Sequence, residues 1–540
     1  MRFLPASDKA LLLELDDLAQ TMALYRHMSA QQLPGVSELV PAARTLLVHY
    51  EPHVISTASL VALLRTQAAE SELQQGAQQS LGRLVEIPVH YNGEDLPDVA
   101  ELLGITVAQV IERHTAQPYD AAFAGFAPGF VYLSGGANFH VPRRQSPRTK
   151  VPAGSVALGG NFSAVYPSAS PGGWQLLGTT EVPMWDLQRA EPALVQPGFR
   201  VQFVDAARHA VQVLLPAKAS TQEQSQTTTA ASQSPASTSI SFLSVGLQTL
   251  VQDEGRKGMA GLGISSSGAL DVAAMHEANR VVGNPPDTSV LENVLGLLRM
   301  RSHGATTVAV TGAQATLSLH SANGAVWDVA THVPIALNDG DVLQLHAPTA
   351  GARSYIAVRG GWEVQPVLGS TSTDTLAQVG PQPLQSGQRI AVGAAVAATQ
   401  LGAVVLDSQP RANLPRAGEL VELDVVLGPR TDWFTPAALE SFVTQEWLVT
   451  PQSNRVGVRL EGTKPLERAR RDELPSEGTV AGAIQVPING QPVLFLADHP
   501  LTGGYPVVAA VAGYHLGLAA QIPVGCRIRF NVMAPFVEQR

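Results

Sequence analysis

Apolar runs of strand length punctuate this chain from its first residues. Ala10-Leu11-Leu12-Leu13-Glu14-Leu15 and Thr45-Leu46-Leu47-Val48-His49-Tyr50 are strand-like, and the stretch from Asp17 to Leu33 between them suits a helix. Together they predict a small α+β module over residues 1–83. From Val85-Glu86-Ile87-Pro88-Val89-His90-Tyr91 onward the runs shorten and glycine or proline separates them, with one helical interruption from Asp98 to Thr115. Strands so punctuated predict a β-barrel or sandwich over residues 84–216. Runs such as Thr307–Val310, Val342–Leu345 and Tyr355–Val358 carry the pattern through a β domain at 240–415, and a further β domain fills 416–540. One helix, from about Ala269 to Val282, meets a stop signal at Gly283-Asn284-Pro285-Pro286. The predicted fold class is mostly β with a smaller α+β part.

The pattern fails between residues 217 and 239, where Ser, Thr, Gln and Ala dominate and almost nothing is available to bury. That segment reads as a flexible tether joining two halves. The ends of those halves match in order and rough spacing. Val151-Pro152-Ala153-Gly154-Ser155-Val156, Ser170-Pro171-Gly172-Gly173-Trp174 and Pro197–Phe203 align with Gly482–Pro487, Thr502-Gly503-Gly504-Tyr505 and Gly525–Phe530. Two copies of one β domain are expected. Each Gly-Gly-aromatic unit suits a tight turn with close backbone approach.

The chain has 540 residues, enough for several domains, and carries 35 Lys+Arg against 45 Asp+Glu, a net charge of -10. Bulk charge therefore disfavours nucleic acid or anionic lipid as partners. Cys526 is the only cysteine, which removes intrachain disulfides and thiolate metal clusters and makes a reducing, cytoplasmic home the expectation. The first residues lack a signal-peptide pattern, and the apolar stretch Pro506–Gly525 is broken by Tyr514, His515, Gln521 and Pro523, so no membrane span is expected. The sequence is compatible with a homo-oligomer.

Four clusters carry chemistry. Phe126-Ala127-Pro128-Gly129-Phe130 is either a barrel corner whose rings are core or a rigid loop offering N–H groups and rings to a small planar ligand. Pro142–Lys150 holds four cations, with Arg143 and Arg148 each behind a proline; it is a solvated face or a clamp for carboxylate or phosphate. The glycines and serines from Gly255 to Gly268, bounded by Asp253 and Asp271, fit an anion cradle ahead of a helix or a plain N-cap. Ser453-Asn454-Arg455, Glu477-Gly478 and Asp498-His499 gather beside the second repeat, where surface turns are the plainer reading. Gly457 through Gly462-Thr463-Lys464-Pro465 inverts the Lys-Thr order of a P-loop and is discarded. No Gly-x-Ser-x-Gly elbow, His-Glu-x-x-His or Rossmann fingerprint is present, and the fourteen histidines are scattered.

These residues carry a family resemblance. Gly125-Phe126-x-Pro128-Gly129-Phe130-x-Tyr132-Leu133, Pro142-Arg143, Pro147-Arg148, Val151–Val156 and Ser170–Trp174 resemble the B subunit of 5-oxoprolinase, whose family also includes an inhibitor of a sporulation histidine kinase. Gln252-Asp253-x-Gly255-Arg256-x-Gly258, Ser267-Gly268-Ala269-x-Asp271, Leu291-Glu292, Arg359-Gly360-Gly361, Ser453-Asn454-Arg455 and Thr502-Gly503-Gly504-Tyr505-Pro506 resemble its C subunit. The resemblance implies cyclophilin-like β-barrels in both halves. It also implies ATP- and Mg²⁺-dependent phosphorylation of 5-oxoproline or a similar small amide, opened to glutamate with a separate 5-oxoprolinase A subunit. Asp253, Arg256, Asp271, Glu292 and Arg455 are then the catalytic candidates. Phe126, Pro128, Gly129, Phe130, Arg143, Arg148, Gly172, Gly173, Trp174, Gly503, Gly504 and Tyr505 are the substrate-binding candidates; no metal ligands are assigned. The related urea amidolyases imply an alternative, a carboxyltransferase component using biotin on a partner chain, and the kinase inhibitor implies a regulatory binding protein.

Overall fold

The computed structural model of the chain describes residues 1–74, 82–137, 139–144, 146–208, 238–393, 413–534 and 536–538. Its first unit is a four-stranded sheet of β1 (Arg2–Ser7), β2 (Ala10–Glu14), β3 (Val36–Pro41) and β4 (Thr45–Tyr50), ordered β1-β2-β4-β3, with helices α1 (Leu18–Ser29) and α2 (Thr57–Gln74). Alternate residues point to opposite faces. Phe3, Leu11, Leu13, Leu46 and Val48 meet the helices, whereas Leu4, Ala10, Leu12 and Leu47 meet Val480, Ala483, Phe495, Val507 and Ala510 from far along the chain. The near-continuous apolar runs thus reflect burial on both sides. Helix α1 stops at Ser29, short of Leu33, and α2 has no counterpart among the predicted elements.

A seven-stranded sheet follows: β5 (Leu84–Val89), β6 (Tyr119–Ala124), β7 (Val131–Gly135), β9 (Ser155–Gly159), β10 (Phe162–Val165), β12 (Gln175–Thr179) and β13 (Arg200–Asp205). Beside it β8 (Arg148–Val151) pairs with β11 (Ser170–Gly172). The single predicted helix over Asp98–Thr115 is two helices, α3 (Leu96–Leu103) and α4 (Val107–Ala116). Gly104 caps the first in a left-handed conformation, and a Thr106/Gln109 capping box starts the second.

The second half opens with a β-sandwich. One sheet, in the order β20-β19-β22-β17-β14-β24, contains β14 (Ser239–Val245), β17 (Leu298–His303), β19 (Leu317–His320), β20 (Val326–Val329), β22 (Val342–Leu345) and β24 (Arg389–Ala391). The other, β15-β16-β23-β18-β21, contains β15 (Gln248–Gln252), β16 (Val290–Val294), β18 (Thr306–Gln314), β21 (Ile335–Leu337) and β23 (Ala350–Val358). Their facing residues, among them Phe242, Met300, Leu343, Val310 and Ile356, form one core. Helix α5 (Val272–Val282) covers the far side of the five-stranded sheet through Ala274, Met275, Ala278, Val281 and Val282, a helical face. Strand β14 begins at Ser239; the rest of the expected tether, apart from Thr238, lies outside the described residues.

The last unit is a closed barrel of β25 (Leu420–Leu427), β26 (Trp447–Val449), β27 (Gly457–Glu461), β29 (Ala483–Gln485), β30 (Val493–Phe495), β32 (Val507–Val511) and β33 (Arg527–Val532). Helices α6 (Pro436–Thr444) and α7 (Leu516–Ala520) complete it, and β28 (Glu477–Gly478) pairs with β31 (Thr502–Gly503). The expected duplication is visible in the strand order. The first sheet reads β12-β9-β10-β7-β6-β13-β5 and the second β32-β29-β30-β27-β26-β33-β25. Both end on a parallel pair, β13 with β5 and β33 with β25, in otherwise antiparallel surroundings. In the first copy a lone bridge, His90 to Thr179, joins the ends of β5 and β12 where the second copy closes fully.

Candidate functional site

The Phe126–Phe130 loop sits on the seam between the halves. It folds on itself, with Ala127 N donating to Gly125 O at 2.7 Å and Phe130 N to Ala127 O at 2.9 Å. Phe126 takes a φ of 65°, a conformation that a ring-bearing residue keeps only where its surroundings hold it. Those surroundings come from the other half. Gly129 N donates to Leu262 O at 3.1 Å, a Cβ on Gly125 would lie 2.2 Å from Thr502 Oγ1, and one on Gly263 would lie 2.6 Å from Ala127 O.

Five rings pack edge to face around this loop. Phe130 lies 5.1 Å from Phe126, 5.2 Å from Tyr132, 5.3 Å from Tyr166 and 5.5 Å from Trp174 between ring centroids. Phe126 is partly exposed, whereas Phe130, Tyr132, Tyr166 and Trp174 are buried in one packed cluster, so Phe126 is the ring this cluster turns outward. Across the seam, Ser476 donates to Tyr132 OH at 3.3 Å, and Thr502 Oγ1 lies 3.5 Å from the same oxygen.

The cations line the rim. Arg143 reaches across the seam to Glu473 at 2.7 Å and Ser476 at 3.3 Å. Arg144 and Arg148 both bond Asp95, at 2.7 and 2.8 Å, and Arg148 also meets Glu94 at 3.1 Å. Burial alone would raise the Asp95 carboxyl, but hydrogen bonds from Arg148 and Leu176 N, with the charges of Arg148 and Arg144, hold it below the usual carboxylate range. Arg148 Nη1 is buried without a hydrogen-bond partner, as is Ser170 Oγ on the paired strand. Gly172 lies opposite Arg148, and a Cβ there would come within 2.4 Å of Tyr166 OH. A Cβ on Gly504 would lie 2.5 Å from Arg143 Nη1. Neither Gly-Gly pair has a positive φ, so close approach rather than tight turning calls for glycine. Pro128 is buried, and Tyr505 lies under the Arg468 guanidinium at 5.6 Å.

The five residues read as catalytic candidates fall together elsewhere, where the sandwich meets the second barrel. Arg455, 2 % exposed, donates to Asp498 at 3.0 and 2.9 Å, to Gly268 O at 2.6 Å and to Glu292. Glu292 also accepts from Tyr355 OH and Leu270 N, each at 2.9 Å, and Tyr355 OH accepts from Asp271 N at 2.8 Å. Asp271 caps α5 and accepts from Gln521 at 3.1 Å. Asp253 is ringed by Ser370, Thr371, Ser372 and Gly255 N, donors that outweigh its burial and hold it below the ordinary range. Arg256, also 2 % exposed, bonds Ser372 O, while its Nε and Nη1 are buried without hydrogen-bond partners. Asp253, Asp271, Glu292 and Arg455 are hydrogen-bonded within the protein, Arg455 directly to Glu292, and with Arg256 they form a polar joint. Within it Asp374 is pushed up to about 6, chiefly by burial and then by the charge of Asp498.

The two clusters share a segment. Residues 253–271 carry Asp253, Arg256, Ser267 and Asp271 into the joint and Leu262 and Gly263 against the aromatic loop. Tyr166, Asp95, Ser476, Glu473 and Asp374 escaped sequence reasoning. Asp95 stands 53 positions from Arg148, and no spacing rule links them.

Comparison with known proteins places these observations in a family. Residues 262–532 match the profile of the carboxyltransferase domain, subdomain A and B, and residues 1–195 match subdomain C and D. The chain belongs to this carboxyltransferase-domain family. It is 36% identical to the 5-oxoprolinase C subunit of Escherichia coli K12 over 54% of this chain and 90% of that protein. It is 39% identical to the 5-oxoprolinase B subunit of Escherichia coli O157:H7 over 36% of this chain and 92% of that protein. The crystal structure of TTHA0988 superposes with a TM-score of 0.78 at 31% identity, covering 97% of this chain and 99% of that one. In plain terms, a half like the B subunit is fused to a half like the C subunit, in that order. Among the described residues, no helix is long and apolar enough to cross a membrane.

Proposed function

We propose that this protein activates the amide of 5-oxoproline, or of a similarly small cyclic amide, with ATP, so that ring opening to glutamate is completed with a separate 5-oxoprolinase A subunit. One observation carries the reading. A box of aromatic rings on the seam is bordered by arginines, one of which, Arg148, keeps a buried N–H group unpartnered. Phe126, the partly exposed ring, offers an apolar face to a planar ring, with Phe130 and Trp174 packed behind it and Pro128 and Gly129 shaping the loop. Arg148 and Arg143 suit bidentate capture of a carboxylate or phosphate. Gly172, Gly173, Gly503 and Gly504 let the backbone approach the ligand closely, and Tyr505 borders the rim.

An amide oxygen is a poor leaving group, and bound ATP supplies the phosphoryl group that makes it a better one. The cationic rim fits the anionic parts of such a nucleotide. The acids do not fit a Mg²⁺ site: among the described residues no three His, Cys, Asp or Glu side chains are grouped to hold a metal. Asp253, Asp271 and Glu292 already accept protein hydrogen bonds. We assign these three, with Arg256 and Arg455, to positioning: they fix the 253–271 segment and, through it, the aromatic loop. A cytoplasmic site of action accords with this chemistry.

A second reading has its own support, because the matched profiles describe carboxyltransferase subdomains. Carboxyl transfer to a urea-like amide would draw on biotin carried by a partner chain. ADP release distinguishes the two. With Mg-ATP, the protein alone is expected to release ADP only when 5-oxoproline is present, and to yield glutamate only when the A subunit is added. Arg148→Ala is expected to lower kcat/KM about 10²-fold, the scale of losing a charged ligand contact. No ATP consumption under any of these conditions would remove the amide-activation reading.

A further inference from the structure

Among the described residues, the six-stranded sheet of the sandwich buries one face and leaves the other uncovered. Along β17 the pattern alternates: Leu298, Met300 and Ser302 point inward, Arg299 and Arg301 outward. Ser241 on β14 is paired with Arg301 on one side and with Arg389 of β24 on the other, so the backbones of two outward-facing arginines run two strand spacings apart, about 10 Å, with Arg389 Nε donating to Ser239 Oγ at 2.6 Å. His303 bonds Ser241 on the same face. Neither Arg299 nor Arg301 has an ion-pair partner among the described residues, in a chain with an excess of acid.

An apolar patch borders these arginines. The turns after β14 and β16 lie side by side, with Ser244 donating to Leu297 O at 2.9 Å and a Cβ on Gly246 reaching within 2.1 Å of Gly296 O. They expose Leu247 by 73%, Leu297 by 59%, Leu295 by 38% and, from a bulge in β14, Leu243 by 37%. Leu295, Gly296 and Leu297 are consecutive left-handed residues, with φ of 58°, 72° and 60°. Two leucines held in a conformation that favours glycine, with side chains in water, gain nothing for the fold.

We infer that this face is a docking surface for a partner protein presenting an apolar centre edged with carboxylates, and that the partner is the A subunit invoked in the amide-activation reading. Leucines flanked by arginines that have no ion-pair partner among the described residues have the layout of a protein interface, an apolar centre with a charged rim. A second copy of this chain fits poorly, because a two-fold contact through this face would set arginines against arginines. Nucleic acid fits poorly too, since exposed leucines do nothing for phosphate and the chain carries a net charge of -10.

This inference rests on that reading, but its test does not depend on turnover. Titration calorimetry and sedimentation velocity with the full chain and the purified A subunit are expected to show a complex that weakens with salt. The double variant Arg299→Glu/Arg301→Glu is expected to weaken it by about tenfold or more, with its thermal midpoint unchanged. Leu297→Gly, which fits the local φ, is expected to weaken it by about tenfold. Wild-type affinity in both variants overturns the proposal, as does a wild-type chain that does not bind the A subunit. It is also overturned if the arginine variant instead dissociates a homodimer or abolishes binding of a single-stranded oligonucleotide. ADP release by the chain alone is untouched by any of these outcomes and remains the separate test of amide activation.

Discussion

The two barrels share a strand order and use the same place differently. In the first, β11 pairs with β8 and sets Gly172 opposite Arg148; in the second, β31 pairs with β28 and sets Gly503 opposite Glu477. Each of these charged residues finds an opposite charge: Arg148 bonds Asp95, and Glu477 bonds Arg430. The sign is inverted, and so is the accessibility. Arg148 is reached by solvent and keeps an unpartnered N–H, whereas Arg430 is 3 % exposed and is shared with Glu14 of the N-terminal sheet. One copy leaves its arginine partly exposed, with one N–H group unpartnered. The other has become the joint on which the N-terminal sheet rests.

The largest effect is expected from breaking the sealed copy. Arg430→Ala leaves Glu14 and Glu477 facing each other without that cation, and removing one partner of a buried pair costs about 3–5 kcal/mol. Burial already holds the Glu477 carboxyl above its ordinary range against the pull of Arg430. The variant's loss should therefore shrink at acidic pH, where the carboxylates take up protons; denaturant titrations at two pH values read both points.

A smaller effect is expected at the polar joint. Asp374 is raised to about 6, so the folded protein binds its proton more tightly than the unfolded chain does. The stability this contributes is complete below about pH 4 and declines as pH rises through about 6. Asp374→Asn should flatten that window in the pH dependence of the unfolding midpoint. A wild-type slope retained in the variant would assign it to another group.

The smallest effects compare the two glycine loops. A Cβ at position 172 meets the hydroxyl of a buried tyrosine, Tyr166, and at position 504 the far end of the flexible Arg143 side chain. Gly172→Ala is expected to raise KM for the amide about tenfold, and Gly504→Ala to change it less than about threefold. Equal effects would mean that the two loops contribute alike.

Local elements and the duplication were legible in the sequence because they depend on neighbours in the chain. Strands β2, β4, β18 and β22 follow their apolar runs, and the Gly-Gly-aromatic units flag the repeat. Partners that folding brings from afar were not legible. The glutamate of the Ala10–Leu15 run gives no hint that its carboxylate meets Arg430, 416 positions on. The candidate ligand residues largely converge because one motif supplies the loop, the arginines and Trp174. The buried charges divide from them for the opposite reason: Asp253, Asp271, Glu292 and Arg455 have residue types that suit catalysis, and their burial and hydrogen bonds, which no local pattern announces, are what support the positioning role proposed for them.

The most direct test of the comparison is the stoichiometry of 5-oxoproline binding by titration calorimetry, with a nonhydrolysable ATP analogue present. One site per chain, lost in Arg148→Ala, is the expected result. Two sites per chain, or one site whose affinity Arg148→Ala leaves unchanged, would contradict the account.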